Sequence, residues 1–263
     1  MIYLLEIDVN RRGGVFSRIF SRGMKADYIE VCGVTLCRLS VRSERNIDWL
    51  RITGMLDEND LIIIQKGVHI PPDVRLQMPD SEKAQCDMLL EGVTEVVGYT
   101  CLAGVKLNIL FIDRSAEFTD TVKVLIKCSQ QINILTDEHE IYSAYAEKAL
   151  TDIGAAPIIL DDAQSIPDCD IIIAPHGLTG WGALPLPKMI FAPSGSDCVS
   201  VCDKCIELPD IFDSPAVDKF DSFALCGAIC NCDEYAGEMP RTVRMKWRDR
   251  ILDINELART FYA

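Results

Sequence analysis

The sequence predicts an α/β fold: a doubly wound, mostly parallel sheet with a smaller N-terminal α/β domain ahead of it. Three observations predict it. First, an apolar run (Ile132 to Leu135), an amphipathic segment ending at Gly154 and a second apolar run (Pro157 to Leu160) follow one another. Strand, helix, strand is the order a parallel pair requires, because its connection has to cross the sheet. Second, strand and helix signals keep alternating on both sides of this unit, which is the pattern of layered α/β domains. Third, the pattern restarts after Leu102-Ala103-Gly104, with a strand expected over Leu107 to Ile112. That restart divides the chain into residues 1–104, residues 105–240 carrying the larger sheet, and residues 241–263, a C-terminal strand and helix packing back on the body.

The 263 residues are 49% hydrophobic and 25% charged, the balance of a chain that buries a core. The densest apolar run, Leu61-Ile62-Ile63-Ile64, is of strand length, far short of the ~20 residues of a membrane helix. The N-terminus reaches Glu6 and Asp8 without a basic leader, so a cytoplasmic protein with no membrane partner is expected. A net charge of -14 disfavours general nucleic-acid binding, since a polyanion is repelled before specific contacts form, so no nucleic-acid partner is expected. A homo-oligomer stays open at this level.

Ile2 to Val9 reads as the first strand, ended by Asn10-Arg11-Arg12-Gly13-Gly14, and Val15 to Met24 as a helix with Val15, Ile19 and Phe20 on one face. Tyr28 to Val41 is long for one strand and carries Gly33 at its middle, so it is a hairpin or a bulged strand. A helix over Asn46 to Met55, a buried strand over Leu61 to Ile64, a helix over Pro79 to Glu91 and a strand over Val93 to Tyr99 follow. In the second part a helix is expected over Ala116 to Lys127 and strands over Ile171 to Ala174, Met189 to Ala192 and Ile206 to Leu208. Ser214 to Ile229 reads as helix, Thr242 to Trp247 as a half-buried strand with Val243, Met245 and Trp247 on one side, and Asn255 to Phe261 as a terminal helix.

Parallel sheets place ligands at the carboxyl ends of their strands, which points to Asp113, Asp137, Asp161, His176-Gly177 and Ser194-Gly195. The segment Ile132 to Asp162 has the proportions of a dinucleotide-binding unit, with Asp161 placed to accept hydrogen bonds from a ribose. Its Gly-rich turn is absent. Asp137-Glu138-His139-Glu140 stands there instead, and carboxylates at a helix N-terminus repel a pyrophosphate. Asp137 as N-cap with Glu140 three residues on forms a capping box, which accounts for these acids structurally.

The stretch Ile166-Pro-Asp-Cys-Asp-Ile-Ile-Ile-Ala-Pro-His-Gly177 resembles the fourth-strand region of Rossmann-type dehydrogenases, a likeness covering about residues 105 to 210. It implies a Rossmann-like sheet whose fourth strand emerges into a loop beside the nicotinamide; His176, just past that buried strand, is the catalytic candidate. Gly177-Leu-Thr179-Gly180-Trp-Gly182 follows, a loop that either brings backbone N–H groups to an anion or serves as a plain connection. His176 itself is either acid, base or ligand, or a hydrogen-bonded structural residue.

Of twelve cysteines, six fall late: Cys198, Cys202, Cys205, Cys226, Cys230 and Cys232. The first three resemble in spacing the iron–sulfur motif of radical enzymes that use S-adenosylmethionine, but that family needs most of a barrel downstream and 58 residues remain. Cys226 and Cys230 lie four apart on the helical face of Phe223 and read as small core residues, so no metal is expected. Two function classes stand: a Rossmann-like protein binding a nucleotide-type or small anionic ligand through Asp113, Asp137, Asp161, His176, Gly177, Thr179, Gly180, Ser194 and Gly195, dehydrogenase-like or an inactive relative, or a non-catalytic binding or assembly protein. The residues name no cofactor.

Overall fold

The computed structural model describes residues 1–7, 24–31, 33–160, 166–179, 184–195, 197–207, 219–235 and 239–262. The helix expected over Val15 to Met24, the start of the helix expected from Ser214, Asp161 and Gly180 lie outside them. The fold is α/β. Its contacts divide it into two units, Met1–Ala84 with Leu208–Pro240, and Gln85–Glu207 with Arg241–Ala263. The division therefore falls twenty residues before Gly104, and residues 208–240 return to the first unit.

In the first unit, β1 (Ile2–Ile7) lies between β3 (Val34–Val41) and β4 (Leu61–Ile64), parallel to both, and β2 (Lys25–Val31) pairs antiparallel with β3. The long stretch around Gly33 is thus a hairpin, turning where Gly33 takes φ 85°. Helix α1 (Trp49–Thr53) is shorter than expected, since a 3-10 turn takes Glu44–Asn46. Alternation along the strands makes two cores. Leu4, Leu36 and Ile63 meet Phe220, Leu225 and Ile229 on one face, and Leu5, Leu39 and Ile62 meet Ile47 and Ile52 on the other.

The region expected as a helix over Pro79 to Glu91 and a strand over Val93 to Tyr99 is one helix, α2 (Ser81–Leu102). Its β-branched residues suggested a strand, but Cys86, Leu89, Leu90, Val93, Val96, Val97 and Thr100 are all buried. Their spacing of three and four draws one helical stripe, and burial along it outweighs the weak propensity of valine and threonine. Thr94 and Thr100 donate their hydroxyls to the carbonyls of Leu90 and Val96, each at 2.8 Å, so neither is left unsatisfied.

The second unit holds an eight-stranded sheet. Its members are β5 (Asn108–Ile112), β6 (Gln131–Leu135), β7 (Ile158–Leu160), β8 (Ile171–Ile173), β9 (Met189–Phe191), β10 (Cys198–Ser200), β13 (Arg244–Trp247) and β14 (Arg250–Asp253). From one edge the order is β7-β6-β5-β8-β9-β10-β13-β14. The first six are parallel; β13 pairs antiparallel with β10, and β14 pairs antiparallel with β13. Helix α3 (Thr119–Cys128) joins β5 to β6, and α4 (His139–Ile153) joins β6 to β7. Among the described residues no helix joins β7 to β8 or β8 to β9. Leu110, Ile112, Leu135, Ile172 and Ala192 are instead covered by Ile166, Cys169, Leu178 and Leu184 from those connections.

Three local expectations are corrected. The sixth parallel strand is β10, whereas β11 (Ile206–Glu207) leaves the sheet to pair with β12 (Arg241–Thr242). The strand over Thr242 to Trp247 is split into β12 and β13, with Met245 buried and Lys246 exposed as alternation required. The terminal helix is α6 (Ile254–Arg259), entered through an Asp253–Glu256 capping box, and α5 (Ser222–Ile229) belongs to the first unit.

Candidate functional site

The second-unit sheet reverses its order at β5. The chain runs outward through β6 and β7, then returns to the opposite side of β5 with β8 and β9. The carboxyl ends of β5 and β8 therefore lie side by side at the reversal, the place where open parallel sheets hold ligands. Around it stand the loops at 113–118, 136–138, 174–179 and 192–195.

Asp113 follows β5 and is fully buried. Its carboxylate accepts hydrogen bonds from the Phe118 N–H (2.9 Å), the Glu117 N–H (3.3 Å) and the Tyr142 hydroxyl (2.7 Å). It thus closes the turn that leads into α3 and ties it to α4. Burial, and secondarily the Asp113 carboxylate, raise the Tyr142 phenol above its ordinary range, so it remains a donor. The turn carries Ala116 at φ 54°, a left-handed conformation uncommon for alanine.

That closure sets out the side chains around it. Glu117 is exposed, and its Oε2 lies 3.6 Å from His176 Nε2, while Phe118 lies under the imidazole with ring centroids 5.3 Å apart. The His176 side chain is 41% exposed, held against a carboxylate and a ring yet open to solvent. Arg114 reaches the same loop, its Nη2 donating to the Thr179 carbonyl at 3.1 Å. The Arg114 carbonyl accepts from the Asp137 N–H (3.2 Å) and the Thr136 hydroxyl (3.3 Å). Loops from three strand ends are therefore bonded to one another.

The His176 loop is fixed from behind. Proline ends β8, the Gly177 N–H turns back to the Ala174 carbonyl (2.9 Å), and the Cys86 thiol of α2 donates to the Pro175 carbonyl (3.0 Å). On the neighbouring strand, Ser194 and Gly195 are exposed after β9. Gly195 has φ 132°, and a Cβ there would lie 2.6 Å from Cys198 Sγ. Only glycine fits this turn.

Comparison with protein-family models and with curated proteins finds no match.

Of the expected site residues, Asp113, Asp137, His176, Gly177 and Thr179 stand on the three bonded loops, and Ser194 and Gly195 on the next one. Asp161 and Gly180 lie outside the described residues. The expected Asp137–Glu140 capping box is not formed: Glu138 holds the N-cap position of α4 without a side-chain cap bond, and the Thr136 hydroxyl accepts from the Glu138 N–H at 3.0 Å. Asp137 is thereby left exposed at the end of β6. Sequence reasoning passed over Arg114, Glu117 and Tyr142. The first two were findable, since they directly follow the strand over Leu107 to Ile112, but Tyr142 needed the packing of α4. Among the described residues, no group of three or more His, Cys, Asp or Glu could hold a metal ion. No described helix is long and apolar enough to cross a membrane.

Proposed function

We propose that this protein binds a small polar ligand of nucleoside or nucleotide type in the crevice between β5 and β8. One observation carries the reading: the loops after β5, β6 and β8 are bonded together where the strand order reverses. Renumbered from β5, the six parallel strands run 3-2-1-4-5-6, the order of doubly wound nucleotide-binding sheets, which supports a Rossmann-like reading of this unit. In such sheets an acid about 20 residues beyond the first turn accepts the ribose hydroxyls. Asp137, at the end of β6, takes that place here, rather than Asp161. His176, paired with Glu117, is suited to exchange a proton with the bound molecule, while Arg114, bonded to the same loop, supplies a cation.

A dehydrogenase-like use of a dinucleotide fits less well than binding of a smaller molecule. The first turn reads Asp113-Arg114-Ser115-Ala116-Glu117, without the glycines that let a backbone approach a pyrophosphate. Glu117, Asp137 and Glu138 add negative charge around it. The same features support the second reading, a non-catalytic binding protein.

A thermal-shift screen of the full chain against nucleosides, mononucleotides, NAD(H), NADP(H), orthophosphate and small carboxylates tests the proposal, because a ligand at a hundred times its Kd adds about 2.7 kcal/mol to stability. The expected result is a rise with a nucleoside or mononucleotide that H176A and D137N each abolish. No rise with any probe, or a rise unchanged in both variants, overturns it.

A further inference from the structure

The turn between β10 and β11 carries chemistry that the crevice does not use. Cys202 and Cys205 flank a 3-10 turn, with their sulfurs 3.5 Å apart in van der Waals contact. The turn is closed by the Cys205 N–H donating to the Cys202 carbonyl at 2.8 Å. It is pinned on both sides, since Val201 accepts from the Gln85 side chain (3.1 Å) and the Cys205 carbonyl accepts from the Val243 N–H (3.0 Å). The two thiols are unequal. Cys205 is fully buried, and that burial pushes it up to about 11, whereas Cys202 is partly exposed. No third ligand joins them among the described residues, and two thiolates are too few for a structural zinc site.

We propose that Cys202 and Cys205 form a thiol–disulfide exchange site, with Cys202 as the attacking thiol, Cys205 as the resolving one, and a small-molecule disulfide of the glutathione class as the oxidant. Cys202 gives up its proton, and its thiolate attacks one sulfur of the oxidant. The oxidant's S–S bond breaks, and the first thiolate leaves and takes up a proton. Cys205 then loses its proton and attacks Cys202 Sγ in the mixed disulfide, expelling the second small thiol, which is protonated in turn. Two protein thiols lose two electrons and one disulfide gains them. The hydrogen-bonded turn already holds the two sulfurs 3.5 Å apart, within reach of exchange.

The test uses the intact full-length protein, incubated with oxidised glutathione, blocked with N-ethylmaleimide and cut with trypsin. Cleavage after Lys204 separates the two cysteines, so their disulfide joins segment 189–204 to segment 205–219. The expected product is that linked pair, with fragmentation placing the bond on Cys202 rather than Cys198. In C205S, glutathione should stay on Cys202; in C202S, segment 205–219 should carry none. Native Cys202 should also react with the maleimide about tenfold faster than Cys205. Recovery of the wild-type segments unlinked under excess oxidant, a bond to Cys198, or equal reactivity of the two thiols would each overturn the proposal. The wild-type measurement needs no variant to fold.

Discussion

Asp113 and His176 show how two residues at neighbouring strand ends take different roles. Asp113 turns its side-chain hydrogen bonds inward, so removing a partner leaves a buried polar group short. Tyr142→Phe should cost about 1.5–3 kcal/mol, and Asp113→Ala more, because it orphans two amides and a phenol. Urea denaturation checks both, and a loss below ~0.5 kcal/mol in each would show that the network holds nothing together. His176 faces outward onto Glu117 and Phe118. His176→Ala should stay within about 0.5 kcal/mol of the parent, the range of surface substitutions. Both strand-end positions were legible from apolar runs ending in a polar residue. Their difference was not, because Tyr142 sits 29 residues from Asp113 and nothing local announces the bond.

At the scale of elements, α2 packs closely where it meets the C-terminal strands. A Cβ on Gly92 would lie 2.9 Å from Thr242 Cγ2 and 3.2 Å from the Met245 thioether. The Thr242 hydroxyl meanwhile donates to the Met88 carbonyl at 2.8 Å from a nearly fully buried position. Gly92→Val should therefore destabilise despite valine filling an ordinary helical site elsewhere, by about 1–3 kcal/mol as overpacking does. Gly195→Ala should cost a similar ~1–3 kcal/mol, combining backbone strain with the Cys198 clash. Denaturation midpoints measured beside Gly98→Ala, which meets nothing within 4 Å, separate contact from propensity. The sequence reading ended the helix at Glu91 and placed a strand over Val93 to Tyr99. The buried stripe through Cys86, Leu89, Val93, Val96 and Thr100 makes the two one helix.

For the molecule as a whole, thiols drawn partly or fully out of water shape the alkaline limit. Cys205 and Cys169 are each pushed up to about 11 from 9.0, chiefly by burial. The folded chain thus holds these protons more tightly than the unfolded one. Their contribution to stability is complete below 9.0 and is lost as pH rises through about 11. The Tyr142 phenol, also raised by burial, adds to the loss above its ordinary 10.0. Thermal midpoints followed from neutral pH upward should fall across that window, and the fall should be shallower in a Cys169→Ala, Cys205→Ala double variant. A flat profile would contradict the desolvation of these groups.

Taken alone, the sequence determined the elements whose signal is contained in their own residues. The apolar runs of β5, β6, β8 and β9 and the α4 segment closing at Gly154 were read to within a few residues, since each is long enough or apolar enough to declare its period locally. Only the tertiary structure decided which strands are neighbours. Placing β5 beside β8 moved the first turn of the sheet to Asp113–Phe118 and made Asp137 the exposed acid at the second strand end. It also drew β10 into the sheet, sent β11 out of it, and returned residues 208–240 to the first unit. These outcomes rest on pairings between segments far apart in the chain. Their energy comes from burial and hydrogen bonds that exist only once both partners are in place, so neither partner carries a local sign of the other.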